Sequence, residues 1–196
     1  MLAQMFGNKG RKEKNNMPNH VKNILTFKKL KPTDKDFILE RFATWCEESH
    51  ESIFDFDKVI PEPKSEGECP KDCLVNKDSH ILEYKDKPWF DWYKWHLKYW
   101  GTKWNAYDGI TYSYGDTVEF SFHTAWSAPY PVYEQLAKLY PNFEWDVRYA
   151  DECIGENCGI IKHDKLTTYI YEYEDEDTTP DKIYKDVWGC SESEDD

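Results

Sequence analysis

The stretch GITYSYGDTVEFSFH, Gly109–His123, decides the fold. Gly115-Asp116 separates two runs rich in β-branched and aromatic residues, and a Gly-first two-residue loop matches a type II′ hairpin turn. In the second run Val118, Phe120 and Phe122 fall on one side, and Glu119, Ser121 and His123 on the other. That alternation is a strand with one covered and one open face. An antiparallel hairpin in mid-chain excludes an all-parallel sheet.

Working outward, Pro131 starts a helix with Val132, Leu136, Leu139 and Tyr140 on its buried side, stopped by Pro141-Asn142. Phe143, Trp145, Val147 and Tyr149 then alternate with Glu144, Asp146 and Arg148, a second half-covered strand. Gly159–Lys162 and Lys165–Tyr173 read as a last hairpin around His163-Asp164. Toward the N-terminus, Trp89, Trp92, Tyr93, His96, Leu97 and Trp100 recur at helical spacing, ended by Gly101. His20–Leu30 reads as a first strand. Ile38, Phe42 and Trp45 predict a helix running to about Ser49, with Cys46 buried on it, and Ile53–Ile60 is short and extended. The order of elements predicts an α+β, ferredoxin-like, mostly antiparallel sheet with helices packed on one face.

The chain has 196 residues and a formal net charge of −13, unevenly spread. Residues 1–32 hold eight Lys/Arg and one acid; the remainder holds 17 basic and 37 acidic side chains, a net of −20. Such a body repels nucleic acid phosphates and favours basic partners. Residues 1–16 read as a disordered basic leader, with Met17 an equally good start, and 62–87 as an irregular insertion in a 17–173 domain. Residues 174–196 form an acidic C-terminal extension, where Ile183, Tyr184, Val187 and Trp188 suit a short docking helix. No apolar window spans a membrane, and the expected compartment is reducing cytosol.

The loop Trp100–Asp108 (WGTKWNAYD) carries two tryptophans and a tyrosine where polar filler is usual. Such residues either plug a core or meet a partner. Trp100 and Trp126 suit capping the sheet. Lys103, Trp104, Asn105, Tyr107 and Asp108, with His123, Trp126 and Tyr130, are the candidate partner- or ligand-binding residues. Cys69/Cys73 and Cys153/Cys158 are two close pairs that suit a tetrahedral zinc site, against the plainer reading of isolated thiols. Asp108, Asp116, Glu119 and Asp146 are the acids with which a Mg²⁺ site would be built. His123 is the most site-like histidine, with no placed catalytic partner visible. No GxSxG, Walker-type, GxGxxG or HExxH pattern occurs, so nucleophilic and nucleotide-dependent chemistry find no motif.

Four segments together carry a resemblance: Met17-Pro18-Asn19-His20-Val21-Lys22-Asn23, Phe54–Pro61 (FDFDKVIP), Trp100–Asp108, and Phe122–Ala150 (FHTAWSAPYPVYEQLAKLYPNFEWDVRYA). In content and order they resemble the YubB-type ferredoxin-like proteins of bacteriophages, prophages and conjugative plasmids. The resemblance implies a ferredoxin-like fold without an iron–sulfur cluster and no known activity. It also implies accessory work for a mobile element, such as countering a host defence. The functional expectation is therefore a non-enzymatic protein that inhibits a host complex, itself basic or nucleic-acid-binding, through acidic and aromatic surface. The alternatives are a nucleotide-sequestering protein or enzyme using Trp104, Asn105, His123 and Trp126, and nucleic-acid binding through the basic N-terminal arm. The acidic strands argue against direct nucleic-acid binding.

Overall fold

The structure, a computed structural model, describes residues 19–47, 50–63, 92–165, 167–171 and 179–189. β1 (His20–Lys28) leads into α1 (Pro32–Phe42), followed by a small hairpin, β2 (Ala43–Cys46) and β3 (Glu51–Phe54). α2 (Trp92–Tyr99) precedes the hairpin β4 (Tyr107–Tyr114) and β5 (Thr117–Ala125). α3 (Tyr130–Leu139), β6 (Glu144–Asp151), β7 (Gly159–Asp164), β8 (Thr168–Tyr171) and α4 (Pro180–Trp188) complete the order. Gly115 has φ +49, the left-handed conformation that the Gly-first turn requires.

The main sheet has six strands in the order β4-β5-β1-β6-β7-β8, with every neighbouring pair antiparallel. Its first four strands, with α1 and α3 as crossovers, form the split βαβ arrangement of a ferredoxin-like domain. The expected α+β class is the one found. Val21, Leu25 and Phe27 of β1, Val118, Phe120 and Phe122 of β5, and Trp145, Val147 and Tyr149 of β6 share one face. That face packs with Ile38 and Phe42 of α1 and Val132, Tyr133 and Leu136 of α3 into one core. Phenylalanines dominate its centre; Phe54 stacks on Phe122 at 5.5 Å and Phe27 on Phe42 at 5.9 Å. Each such ring, fully buried, contributes about 1.5–3 kcal/mol.

The expected docking helix in the acidic extension is present as α4, and it lies on the opposite face of the sheet. There Ile183 and Val187 bury against Ala150 and Ile160 in a second, smaller cluster. Among the described residues, nothing covers the rest of that face.

Three elements depart from expectation. Ile53–Ile60 is extended only as far as Phe54 and then turns through a short 3-10 helix, Phe56–Lys58. α2 buries Trp95 and His96, while Trp92, Tyr93 and Leu97 of its expected apolar side are partly exposed. α1 ends early. The helix predicted to run to Ser49 ends at Phe42, and Ala43–Cys46 is a strand paired with Glu51–Phe54. Asp55 N donates to Phe42 O at 2.9 Å, and the Lys58 ammonium binds the carbonyls of Glu40 and Ala43. These partners take carbonyls at the helix end and turn the chain outward. Trp45 is therefore 59% exposed instead of lining the core, and Cys46 is half-buried on a strand. The 1–16 leader, the insertion from residue 64 onward with its strand near Ile81–Tyr84, Trp89 and the 191–196 tail lie outside the described residues. Among those described, no helix is long and apolar enough to cross a membrane.

Candidate functional site

The loop after α2 is an internal hub before it is a surface. Gly101 has φ +76, and a Cβ there would meet Pro131 Cδ at 2.7 Å, so only glycine lets α2 end against α3. Trp100 is buried and donates its indole N–H to Ile60 O at 3.0 Å. His96 stacks on Trp100 with ring centroids 4.1 Å apart. Its Nδ1 faces Lys103 O at 2.8 Å and its Nε2 faces the Glu62 carboxylate at 3.1 Å. Thr102 Oγ1 donates to Ala125 O and accepts from Ala125 N, and Ser127 Oγ donates to Gly101 O. Asn105 points inward: its Oδ1 accepts from Phe56 N and Ala106 N, and its Nδ2 donates to Asp55 Oδ1.

The described residues of the four segments that carry the resemblance thus meet in space. The first and fourth meet at Asn23, fully buried, which donates to Val21 O and Thr124 Oγ1 and accepts from Tyr133 Oη at 3.0 Å. Burial pushes the Tyr133 phenol well above its ordinary pKa. Tyr130 Oη pairs with Tyr149 Oη beside this network. Much of the motif set is therefore polar joinery under α3.

What remains outward is a row of rings. Lys103 Nζ lies 4.5 Å from the Trp104 ring centroid and 5.4 Å from that of Trp126, in cation–π range of both. Each of these tryptophans is 38% exposed. Trp126 holds φ +73, a backbone conformation that bulky side chains rarely adopt. Its N–H donates to Asn19 O and its carbonyl accepts from Asn157 Nδ2. Tyr93 meets Trp126 edge-on at 6.3 Å, and Trp92, 45% exposed, meets Tyr93.

At its other end the row turns onto the open face of the sheet. Trp104 meets Tyr107 at 6.0 Å, and Tyr107 meets His123 at 6.0 Å. A register shift between Tyr107 and Ile110, with Asp108 at φ +45, is the bulge that aims these two side chains. His20 Nδ1 lies 2.7 Å from Tyr107 Oη, and Trp188 of α4 stacks on His123 at 5.4 Å. Lys22 Nζ sits 5.6 Å over Trp188. The Tyr107 phenol is pushed up to about 12, by burial first and then by the Asp108 and Glu152 carboxylates. Burial pushes the His123 imidazole below its ordinary value, with Asp108, 3.8 Å away, pulling it up and His20 and Lys22 pushing it further down.

Of the candidates named from sequence, Lys103, Trp104, Tyr107, Asp108, His123 and Trp126 come together in this row. Asn105 and Tyr130 are engaged inside the fold. His20, Lys22, Trp92, Tyr93 and Trp188 join the row without having been singled out. The period-two placement of His20 and Lys22 on β1, on the side opposite Val21 and Asn23, is the signal that could have found two of them. Of the four acids considered for Mg²⁺, Asp116, Glu119 and Asp146 line one groove on the open face of the sheet, with Asp146 paired to Lys28, whereas Asp108 stands apart beside His123. Cys153 is exposed and Cys158 half-buried on one loop, while Cys69 and Cys73 lie outside the described residues. Among the described residues no three His, Cys, Asp or Glu side chains are grouped to hold a metal.

Residues 99–186 match a family model described as the ferredoxin-like domain in Api92-like protein. Neither the curated proteins nor the solved structures contain a match.

Proposed function

We propose that this chain is a non-enzymatic accessory protein of a phage or related mobile element, and that it inhibits a host defence complex by protein–protein contact. The contact surface is the outward row centred on Trp104, Lys103 and Trp126. Trp126 carries the reading. A tryptophan held at positive φ costs the fold on the order of 1–3 kcal/mol and is still 38% exposed. The part of the ring left exposed adds nothing to the fold, whereas a partner gains in it a rigid, largely apolar anchor. Lys103 between the two rings already marks them as a seat for cations. Asp108 and Glu152, both exposed, add negative charge near the row's Tyr107 end. A basic partner surface, with arginine stacking on indole and pairing with carboxylate, fits that combination and the net −20 of residues 33–196.

The test is affinity capture from host lysate with the wild-type chain and with Trp104→Ala/Trp126→Ala, at low and moderate salt. The expected result is a basic protein retained by wild type, weakened by salt and lost with the double variant. Capture that the double variant leaves intact, or no partner at either salt, overturns the proposal.

A further inference from the structure

The open face of the sheet carries a second feature, away from the aromatic row. An open groove of about 620 Å³ runs across β4, β5, β1, β6 and β7. Arg148 of β6 stands within it. Its register partners on the two sides are Ile24 and Ile160, so its half-buried stem lies between apolar neighbours. The other basic groups of the groove have work inside the protein: Lys28 pairs with Asp146, and Lys29 with Glu144. Arg148 makes no hydrogen bond or ion pair among the described residues. Its five donors face the open groove, and the fork they form matches two oxygens of one anion.

The surroundings narrow the anion. Lys28, Lys29, Arg148 and Lys162 face Asp116, Glu119 and Asp146, which leaves the groove with one net positive charge in an acidic protein. Glu119 is held there by Thr26 Oγ1 and Tyr114 Oη, each at 3.4 Å. A singly charged group is matched by that balance, while a doubly charged terminal phosphate is repelled by Glu119 and Asp116. Tyr114, 55% exposed at the rim, presents a ring on which a planar base can stack. The volume falls in the range of small-ligand sites. The acidic body disfavours the approach of a polyanionic strand but not of a small monoanion.

We infer that this groove binds a cyclic nucleotide, with its singly charged phosphodiester on the Arg148 guanidinium and its base on Tyr114. The test is calorimetric titration of the full chain with 3′,5′-cyclic AMP and cyclic di-adenylate, with 5′-AMP and an oligo-dT strand as comparators. At least one cyclic probe binds, and 5′-AMP binds about tenfold more weakly or worse. Arg148→Gln, Arg148→Lys and Tyr114→Leu each weaken the cyclic probe by about tenfold or more, with unchanged circular dichroism. Any of four results overturns the inference: no cyclic probe binding at millimolar concentration, tighter binding of 5′-AMP, tighter binding of the oligonucleotide, or full affinity in the folded variants. If one Arg148 variant does not fold, the other and Tyr114→Leu decide.

Discussion

Removing one oxygen, by Tyr133→Phe, tests whether the buried joint under α3 holds the two halves of the domain together. Tyr133 Oη donates to Asn23 Oδ1 at 3.0 Å, and both residues are buried to within 1%. The phenylalanine ring fills the same space, so no cavity forms. The cost is the orphaned Asn23 carbonyl oxygen, about 1–3 kcal/mol for a buried acceptor without a partner. In a chain of this length each kcal/mol lowers the melting midpoint by roughly 2–4 °C, so a cost of about 2 kcal/mol appears as roughly 4–8 °C. Asn23→Leu alone orphans the Tyr133 hydroxyl, whereas Thr124 Oγ1 keeps its bond to Ser127 O at 2.8 Å. In the double variant both orphans disappear together. The double-mutant cycle, read by urea unfolding under far-ultraviolet circular dichroism, is expected to show about 1 kcal/mol or more of coupling. A Tyr133→Phe cost below about 0.5 kcal/mol, or strict additivity in the cycle, refutes the reasoning.

Three further outcomes follow from the same geometry. Trp126→Gly removes the strain at φ +73 together with a partly exposed ring, so stability stays within about 1 kcal/mol of wild type while partner capture is lost; a large destabilisation would make Trp126 a structural plug. His123 has a folded pKa below its unfolded value of about 6.5, so its neutral form favours the fold. Stability is therefore lost as pH falls through about 6.5 and levels off below the folded value. Trp188→Ala uncovers the ring and moves its NMR titration midpoint upward, and an unmoved midpoint would show that Trp188 does not supply the burial. Finally, Val187→Asp places an unpaired charge in the small cluster beneath α4. The sheet stays folded and hydrogen-exchange protection of 180–188 disappears; retained protection would mean that the helix does not depend on this cluster.

Local pattern determined much of this protein. The period-two runs at Val118–Phe122 and Phe143–Tyr149, the Gly115-Asp116 turn and the helical spacing of Ile183, Tyr184, Val187 and Trp188 specify their elements. In each, the side chains that need burial fall on one side of one conformation only. The end of α1 was not specified in that way, because Phe42 and Trp45 keep helical spacing. A strand partner at Glu51–Phe54 and the Lys58 ammonium on the helix-end carbonyls decide it, and both come from beyond the window. The same holds for the site. Sequence identified Lys103, Trp104, Tyr107, His123 and Trp126 as aromatic or ionisable groups in unusual places. It did not distinguish Asn105, engaged inward with Asp55 and Phe56, from its outward neighbours, because the identity of a polar side chain does not reveal its direction. The meeting of His20, His123 and Trp188, and the absence of a partner for Arg148 among the described residues, are properties of strand order and register. Contacts between residues a hundred positions apart exist only after β1 is inserted between β5 and β6 and α4 has chosen its face of the sheet.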